Sequence, residues 1–315
     1  MEFQKYPSIT NSYSERFLDK IHSCKYTHET KWYVTEKIHG ANFSYWSDGQ
    51  EVKVASRSQF VDTNFMKASS AIEKYIDSAK YLSKSLMNEY GNVEHVVIFG
   101  ELYGNGIQKG IQYGEKDFIV FDVAIKRNSE DELTFLTLPS IEYFAEESGF
   151  EIVDPLYIGT LENCLKYPND FDSKILDIKD NICEGVVIKP IQNITFSSGT
   201  RVILKNKNDK WSEKQRVKTN NKPKNFTHEL QPQILEYITE NRFNNLMSKL
   251  GGIESLTSKD FGKVLGMYSS DVIEELIADG LLIESWKKDE KLKPLGSWVT
   301  NQSKALLIEL FLKKV

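Results

Sequence analysis

Lys37 stands in the run Glu36-Lys37-Ile38-His39-Gly40-Ala41-Asn42-Phe43, after the strand-like Trp32, Tyr33 and Val34 and before a glycine turn. A lysine so placed, one residue short of a histidine, is a candidate covalent nucleophile. An amine attacks phosphorus only when neutral, and an ordinary lysine of pKa ~10.4 is about 0.04% neutral at pH 7. Burial at a strand end, neighbouring cations and a bound metal ion all favour the neutral form. Lys189, Lys205 and Lys207 are the cations available for that purpose.

Three more charged strand ends follow in order: Phe99-Gly100-Glu101, Glu184-Gly185-Val186-Val187-Ile188-Lys189 and Leu204-Lys205-Asn206-Lys207. Lys205 and Lys207 are two apart in a strand-like segment, so both point to one face. Two ammonium groups on one face repel unless an anion lies between them, and a triphosphate is such an anion. The same spacing also serves to blunt an exposed edge strand. Glu101 and Glu184 each sit at the rim of an apolar run, where a carboxylate suits a ribose hydroxyl or a hydrated magnesium ion. Phe121-Asp122 offers a flat face for a purine beside an acid, although a core aromatic reads the same way. Each run alone is ordinary. The four in this order fit nucleotidyl transfer.

Other apparent signals carry less. Gly104-Asn105-Gly106-Ile107-Gln108-Lys109-Gly110 has neither the GxGxxG nor the GxxxxGK[ST] spacing, and it reads as a turn between strands. The histidines at 22, 28, 39, 95 and 228 lack metal-ligand spacing. Cys24, Cys164 and Cys183 form no CxxC pair, which fits a reducing compartment and neither a disulfide frame nor a structural zinc site.

The elements that must position these residues are short and β-branched. Strands are expected over 32–38, 42–46, 52–56, 96–103, 118–125, 185–189 and 202–207, bounded by glycine, asparagine or aspartate. Helices are expected over 65–86, with Ile72, Ile76, Ala79 and Leu82 along one stripe, and over 139–148, where Pro139 suits a first turn and Gly149 a stop. Irregular spacing of strands and helices favours an α+β domain. Residues 210–224 are polar, basic and broken by Pro223, and read as a linker. From Thr227 the spacing of Leu230, Ile234, Leu235, Ile238, Leu246, Met247 and Leu250 is helical, with further helices over 271–279 and 302–312. The division expected is residues 1–224, a nucleotidyl-transfer domain, and 225–315, a small all-α domain.

The chain has 315 residues and a formal net charge of −5, which by itself disfavours a polyanion partner. Between Arg201 and Lys224, however, nine basic residues face two acidic ones, a stripe suited to phosphates or to a solvated linker. The chain has no apolar run of membrane-spanning length and no signal-peptide-like start, so a soluble, cytoplasmic protein is expected, in a host's cytoplasm if viral, with no membrane partner.

Taken together, the motifs resemble the RNA ligase 2 family of phage and kinetoplastid-editing ligases, within the covalent nucleotidyltransferase superfamily. The match runs from Tyr6 into the C-terminal region. It rests on Glu36-Lys37-Ile38-His39-Gly40-x-Asn42-Phe43, Phe99-Gly100-Glu101, Gly106-Ile107-Gln108-Lys109 and Lys116-Asp117-Phe118-x-Val120-Phe121-Asp122. It continues in Glu184-Gly185-x-Val187-x-Lys189-Pro190, Lys205-x-Lys207-x-x-x-Trp211-Ser212-Glu213-Lys214 and Asp260-Phe261-Gly262-Lys263-Val264.

The resemblance implies antiparallel sheets forming an adenylate pocket, followed by a helical domain that holds a nicked duplex. It implies an ATP-dependent RNA ligase that joins a 3′-hydroxyl to a 5′-phosphate, with Mg2+ or Mn2+, through AMP on Lys37 and then an RNA-adenylate. By the same resemblance Phe121 stacks on adenine, Glu36 reads its edge, Tyr6 borders the pocket, and Ile38 lines it within the nucleophile motif. Glu101 and Arg57 hold the ribose, and Asn42 lies near the AMP phosphate. Lys205 and Lys207 hold phosphates, with Lys189 among the nucleotide-binding residues. Glu184 and Asp122 serve a metal or orient the reacting ends, and His39 assists Lys37. The RNA is expected to be duplex or templated; no protein partner is specified. A DNA ligase or capping guanylyltransferase shares the lysine and the motif order but usually continues into a small β-barrel, and a non-catalytic RNA-end binder is the remaining alternative.

Overall fold

Alternating apolar residues in the first two-thirds of the chain build two antiparallel sheets, while the 3.6-residue pattern of the last third builds helices. The computed structural model describes residues 1–128, 130, 132–211, 226–283, 286–288, 292 and 294–314. They form two compact units, Met1–Ile9 with Ile21–Asn208, and Thr10–Lys20 with Asp209–Val315. The short β1 (Thr10–Asn11) belongs to the second unit, α1 (Glu15–Ser23) runs across its boundary, and α2 (Lys25–Glu29) opens the longer part of the first.

One sheet of the first unit places β11 (Leu204–Lys207), β10 (Gly185–Pro190), β2 (Trp32–Glu36) and β9 (Pro155–Gly159) side by side, each pair antiparallel. The larger sheet holds β3 (Ala41–Ser47), β4 (Val52–Ser56), β5 (Phe60–Val61), β6 (Val93–Tyr103), β7 (Asp117–Arg127) and β8 (Leu133–Phe135), in the spatial order β5-β4-β3-β6-β7-β8. Strand alternation gives it two apolar faces. Phe43, Tyr45, Ile98, Val120 and Val123 pack on Leu82 and Leu86 of α4 (Ile76–Tyr90) and Ile141 of α5 (Leu138–Ser148), beside α3 (Ser69–Glu73). Trp46, Val97, Phe99 and Ala124 face the other way, toward Tyr6, Ile203 and Val187 of the smaller sheet. Each large apolar side chain so buried contributes about 1.5–3 kcal/mol. The strap between β9 and β10 holds α6 (Leu161–Leu165).

The second unit contains α7 (Phe226–Leu235), α8 (Glu240–Lys249), α9 (Phe261–Ala278) and α10 (Leu295–Leu307), closed over a core that includes Phe243, Tyr268, Val272 and Phe311. Among the described residues no helix is long and apolar enough to cross a membrane.

The expected α+β architecture with a helical tail is what the chain forms, and α5 opens on Pro139 and ends at left-handed Gly149 as read. Four helices differ from expectation, the one expected over 302–312 being the end of α10 and a π-helical turn over Ile308–Leu312. The run 65–86 is interrupted because Met66 and Lys67 take φ of 55° and 52°, and Lys116 Nζ donates to both carbonyls. The run from Leu230 to Leu250 is two helices, because the Thr239 side chain caps α8 by accepting from Arg242 N. The helix expected over 271–279 is the end of α9, which follows a 3-10 turn (Ser258–Asp260) closed by a reciprocal Thr257–Asp260 capping box. Most of the expected linker, with Lys214, Arg216, Lys218, Lys222 and Lys224 of the basic stripe and the 224/225 boundary, lies outside the described residues.

Candidate active site

The nucleophile segment leaves β2 at its C-terminal end, and its first anchor is backbone: Lys37 N donates to Gly185 O at 2.9 Å. β10 lies between β2 and β11, with Gly185 opposite Lys207, so Lys37, Glu184 and Lys207 emerge at one rim. Gly185 takes φ +141°, and a Cβ there would lie 2.2 Å from Asn206 O. Only glycine lets the two chains close at this point.

Glu184 is the hub of the rim. Its buried carboxylate accepts from Lys37 Nζ at 2.8 Å through Oε2 and from Lys207 Nζ at 2.9 Å through Oε1. His39 Nδ1 lies 3.2 Å from the same Oε2. Desolvation works to raise this carboxyl, but Lys207, Lys37 and His39 outweigh it and hold the group well below the usual carboxylate range. Lys37 is thus paired with Glu184, with part of its side chain open to solvent. Lys205 shares the Lys207 face of β11, opposite Val187 of β10.

The larger sheet supplies the opposite rim. Glu101 Oε1 accepts from Gly40 N at 3.1 Å, and Asn42 stands across from Glu101 in the β3–β6 register. Desolvation pushes the Glu101 carboxyl up to about 7, against the pull of Lys37 and, more weakly, Arg57. Gly40 passes so close to β6 that a Cβ would lie 2.2 Å from Leu102 O.

Phe121 and Asp122 are presented by a β-bulge. Phe99 pairs with Asp122 and Gly100 with Val120, leaving Phe121 unpaired in the ladder. The extra residue turns Asp122 onto the Phe99 face while Val120 stays on the helix side. Phe121 packs its ring edge-on to Tyr6 at 5.1 Å. Its carbonyl, released from the ladder, accepts from Lys189 Nζ at 2.6 Å.

Asp122 has no exposed surface and accepts two bonds of 2.9 Å from Arg201, one of 3.1 Å from Lys189 and one of 2.5 Å from the Tyr6 hydroxyl. Desolvation opposes the charge, but Arg201 and Lys189 hold the Asp122 carboxyl at about 2. Three of these donors fall on Oδ2 and one on Oδ1. Asp122, read from sequence as serving a metal or orienting the reacting ends, is thus ion-paired inside the unit, and Lys189 bridges it to the Phe121 carbonyl. Arg201, read as part of the exposed basic stripe, is buried.

Glu36 points away from Lys37, accepting from Ser173 Oγ at 2.6 Å and Lys174 N at 2.7 Å. Ile38 is buried beside it, and His39 N donates to the Tyr113 hydroxyl at 3.0 Å. The fold thus brings Lys37, His39, Glu184 and Lys207 together, with Glu101, Asn42 and Arg57 on the facing rim and Tyr6, Phe121, Asp122 and Lys189 in a second group. Sequence reasoning missed Arg201, Tyr113 and Ser173, which act on the site from 60 or more positions away and belong to no local pattern. Among the described residues no three His, Cys, Asp or Glu side chains gather as a metal-holding cluster.

Residues 30–207 match the RNA ligase family, and residues 221–296 match the T4 RNA ligase 2 C-terminal region. Among solved structures, a lysine-to-alanine variant of Naegleria gruberi RNA ligase with ATP and Mn is 16% identical over 67% of this chain and 58% of that one, with a TM-score of 0.47. A glutamate-to-alanine variant of the same ligase with AMP and Mn is 17% identical over 66% and 57%, again at 0.47. The chain therefore spans less than three-fifths of the length of these structures. With more than half of its residues matched by the family as a whole, the chain belongs to the RNA ligase family.

Proposed function

We propose that the chain is an ATP-dependent RNA ligase that seals 3′-hydroxyl/5′-phosphate ends, preferably nicks in duplex RNA, with Lys37 as the nucleophile. The observation that carries the reading is the convergence of Lys37, His39 and Lys207 on the Glu184 carboxylate at the rim shared by β2, β10 and β11. In the first step the neutral Lys37 amine attacks the α-phosphorus of ATP, forming a P–N bond as pyrophosphate leaves. An oxygen of the RNA 5′-phosphate then attacks the same phosphorus and Lys37 departs as the free amine. Finally the RNA 3′-oxygen attacks the activated 5′-phosphorus, and AMP leaves.

Each role follows from position. Lys207, with Lys205 on the same strand face, neutralises phosphate charge in the in-line displacements. Phe121 offers its ring to adenine while Lys189 and Asp122 fix its backbone, and Tyr6 closes the ring's other edge. Glu101, Asn42 and Arg57 face the sugar and α-phosphate. The Glu36 backbone meets the base edge, the Glu36 carboxylate being held by Ser173 and Lys174. Glu184 fits a hard divalent cation such as Mg2+ or Mn2+, an acceptor-only carboxylate at a rim where substrate phosphates complete the shell. When bound, that ion supplies positive charge that screens the phosphates and favours neutral Lys37. Residues 1–224 carry nucleotidyl transfer and 225–315 engage the nicked RNA.

The test is incubation with α-labelled ATP or GTP and Mg2+, then denaturing separation. Label on Lys37 from ATP, acid-labile and base-stable, and little from GTP, is the expected result. Label from GTP selects a capping guanylyltransferase. No adduct from either nucleotide selects an RNA-end binder and overturns the proposal.

A further inference from the structure

Lys37 and His39 project toward Glu184, but the backbone between them is held from the other side. Loops 104–116 and 171–183, with α3, the start of β7 and residues 151–156, border a half-open cavity of about 770 Å3 whose wall includes Glu36, Ile38, Tyr103, Tyr113 and Leu176. With a void of that size behind it, the nucleophile segment lacks continuous packing on this side. Hydrogen bonds hold it there instead. Glu36 is fixed by Ser173 Oγ and Lys174 N, and the Tyr113 hydroxyl, on a buried ring edge-on to Tyr103 at 5.5 Å, accepts the His39 amide.

The two loops are joined by a reciprocal pair. Gln112 N donates to Asn181 Oδ1 and Asn181 Nδ2 donates to Gln112 O, both at 2.8 Å, so one side chain imitates a rung of a β-ladder. Asn181 is buried, and its own carbonyl accepts from Ser173 N at 2.9 Å. One linked set of bonds therefore runs from Glu36 through Ser173, Asn181, Gln112 and Tyr113 back to His39.

We propose that Tyr113 is a positioning residue for Lys37 and His39, and that the Asn181–Gln112 pair sets its place against the His39 amide. Tyr113 touches neither the amine nor its counter-ion in the bonds described, so its effect reaches the reaction through the backbone of residues 36–40. The inference rests on Lys37 being the nucleophile.

The test uses the full chain with Tyr113→Phe, which keeps the ring and its contact with Tyr103 but removes the acceptor. Single-turnover labelling of Lys37 is measured across ATP concentrations, beside hydrogen exchange of the His39 amide. The expected result is a maximal rate lower by about tenfold or more, since misplacement near 1 Å costs up to about 10²-fold. The half-saturating ATP concentration stays within about twofold, as the nucleotide contacts are untouched. The His39 amide exchanges about tenfold faster, having lost a buried acceptor. Asn181→Ala moves both readouts in the same direction by a smaller factor, and Asn181→Asp, which keeps the acceptor and loses the donor, falls between.

A wild-type rate in Tyr113→Phe overturns the proposal, as does a slower rate with unchanged His39 exchange or with a parallel rise in half-saturating ATP. Should the wild-type chain form no Lys37 adduct, the functional reading falls separately. The exchange comparison then still decides the clamp: faster exchange in Tyr113→Phe upholds it, and unchanged exchange removes it.

Discussion

Asp122→Asn is the sharpest probe of the group beneath Phe121. The substitution keeps size and shape but removes the one carboxylate that Arg201 and Lys189 share. Arg201 and Lys189 are both buried, so the wild type already holds two cations against one anion, and the variant leaves two against none. Lys189 has an escape: desolvation and Arg201 already depress its pKa, and it can give up its proton. Arg201 cannot, so the cost falls mainly on the guanidinium. Removing one partner of a buried pair costs about 3–5 kcal/mol. For a unit of this size each kcal/mol moves the melting temperature by about 2–4 °C, so the unit's transition should fall by roughly 6–20 °C.

The assay is calorimetric melting of the full chain, in which the two units need not melt together. Asp122→Asn/Arg201→Met provides the control: with the guanidinium gone as well, more than half of the loss should return. A melting temperature of Asp122→Asn within about 2 °C of wild type would refute the charge argument, as would a double variant no more stable than the single one. The outcome also separates two roles for Asp122. A metal ligand would change the divalent-ion requirement with little effect on melting, whereas an internal counter-ion does the reverse.

The same carboxyl predicts an acid limb. Its folded pKa of about 2 lies below the ordinary aspartate value, so its stabilisation is complete above about pH 4 and is lost as pH falls toward 2. The amount is about 2 kcal/mol, and acid unfolding followed by circular dichroism should show that limb flattened in Asp122→Asn. Lys37→Arg should be as inactive in adduct formation as Lys37→Ala, because a guanidinium stays protonated; substantial ligation by the arginine variant would remove the nucleophile assignment. Gly185→Ala must place a methyl 2.2 Å from Asn206 O at φ +141°, and should separate β10 from β11 enough to lower adduct formation at least tenfold with a destabilisation of about 2 kcal/mol or more; near-normal rates would show that the rim does not need this closure. A chain ending at residue 224 should keep nucleotide labelling and lose most nick sealing, and loss of labelling in a folded truncation would contradict the division of labour.

The rims of the site were legible because their residues sit at strand ends, where local pattern and chemistry coincide. A charge and a glycine at one end of a strand-like apolar run mark Lys37, Glu101 and Glu184 without any knowledge of what lies opposite. What closes those rims is register. That Glu184 meets Lys207 depends on β10 pairing with β11 so that Gly185 stands opposite Lys207, and nothing local to either strand states the offset. The bulge at Phe121 is harder still. An uninterrupted strand would put Val120 and Asp122 on one face, and one unpaired residue reverses that, sending Asp122 to a buried arginine read from sequence as part of a solvent-facing stripe. Helix ends failed for a related reason: the Lys116 ammonium that terminates the turn at Met66 and Lys67 comes from the loop before β7, 50 positions away. Short-range pattern thus singled out candidate residues at strand ends, and long-range pairing decided which of them are held, by what, and at which angle. Tyr113 belongs wholly to the second kind, so it has no motif of its own, and only a measurement on the His39 backbone can assign it a role.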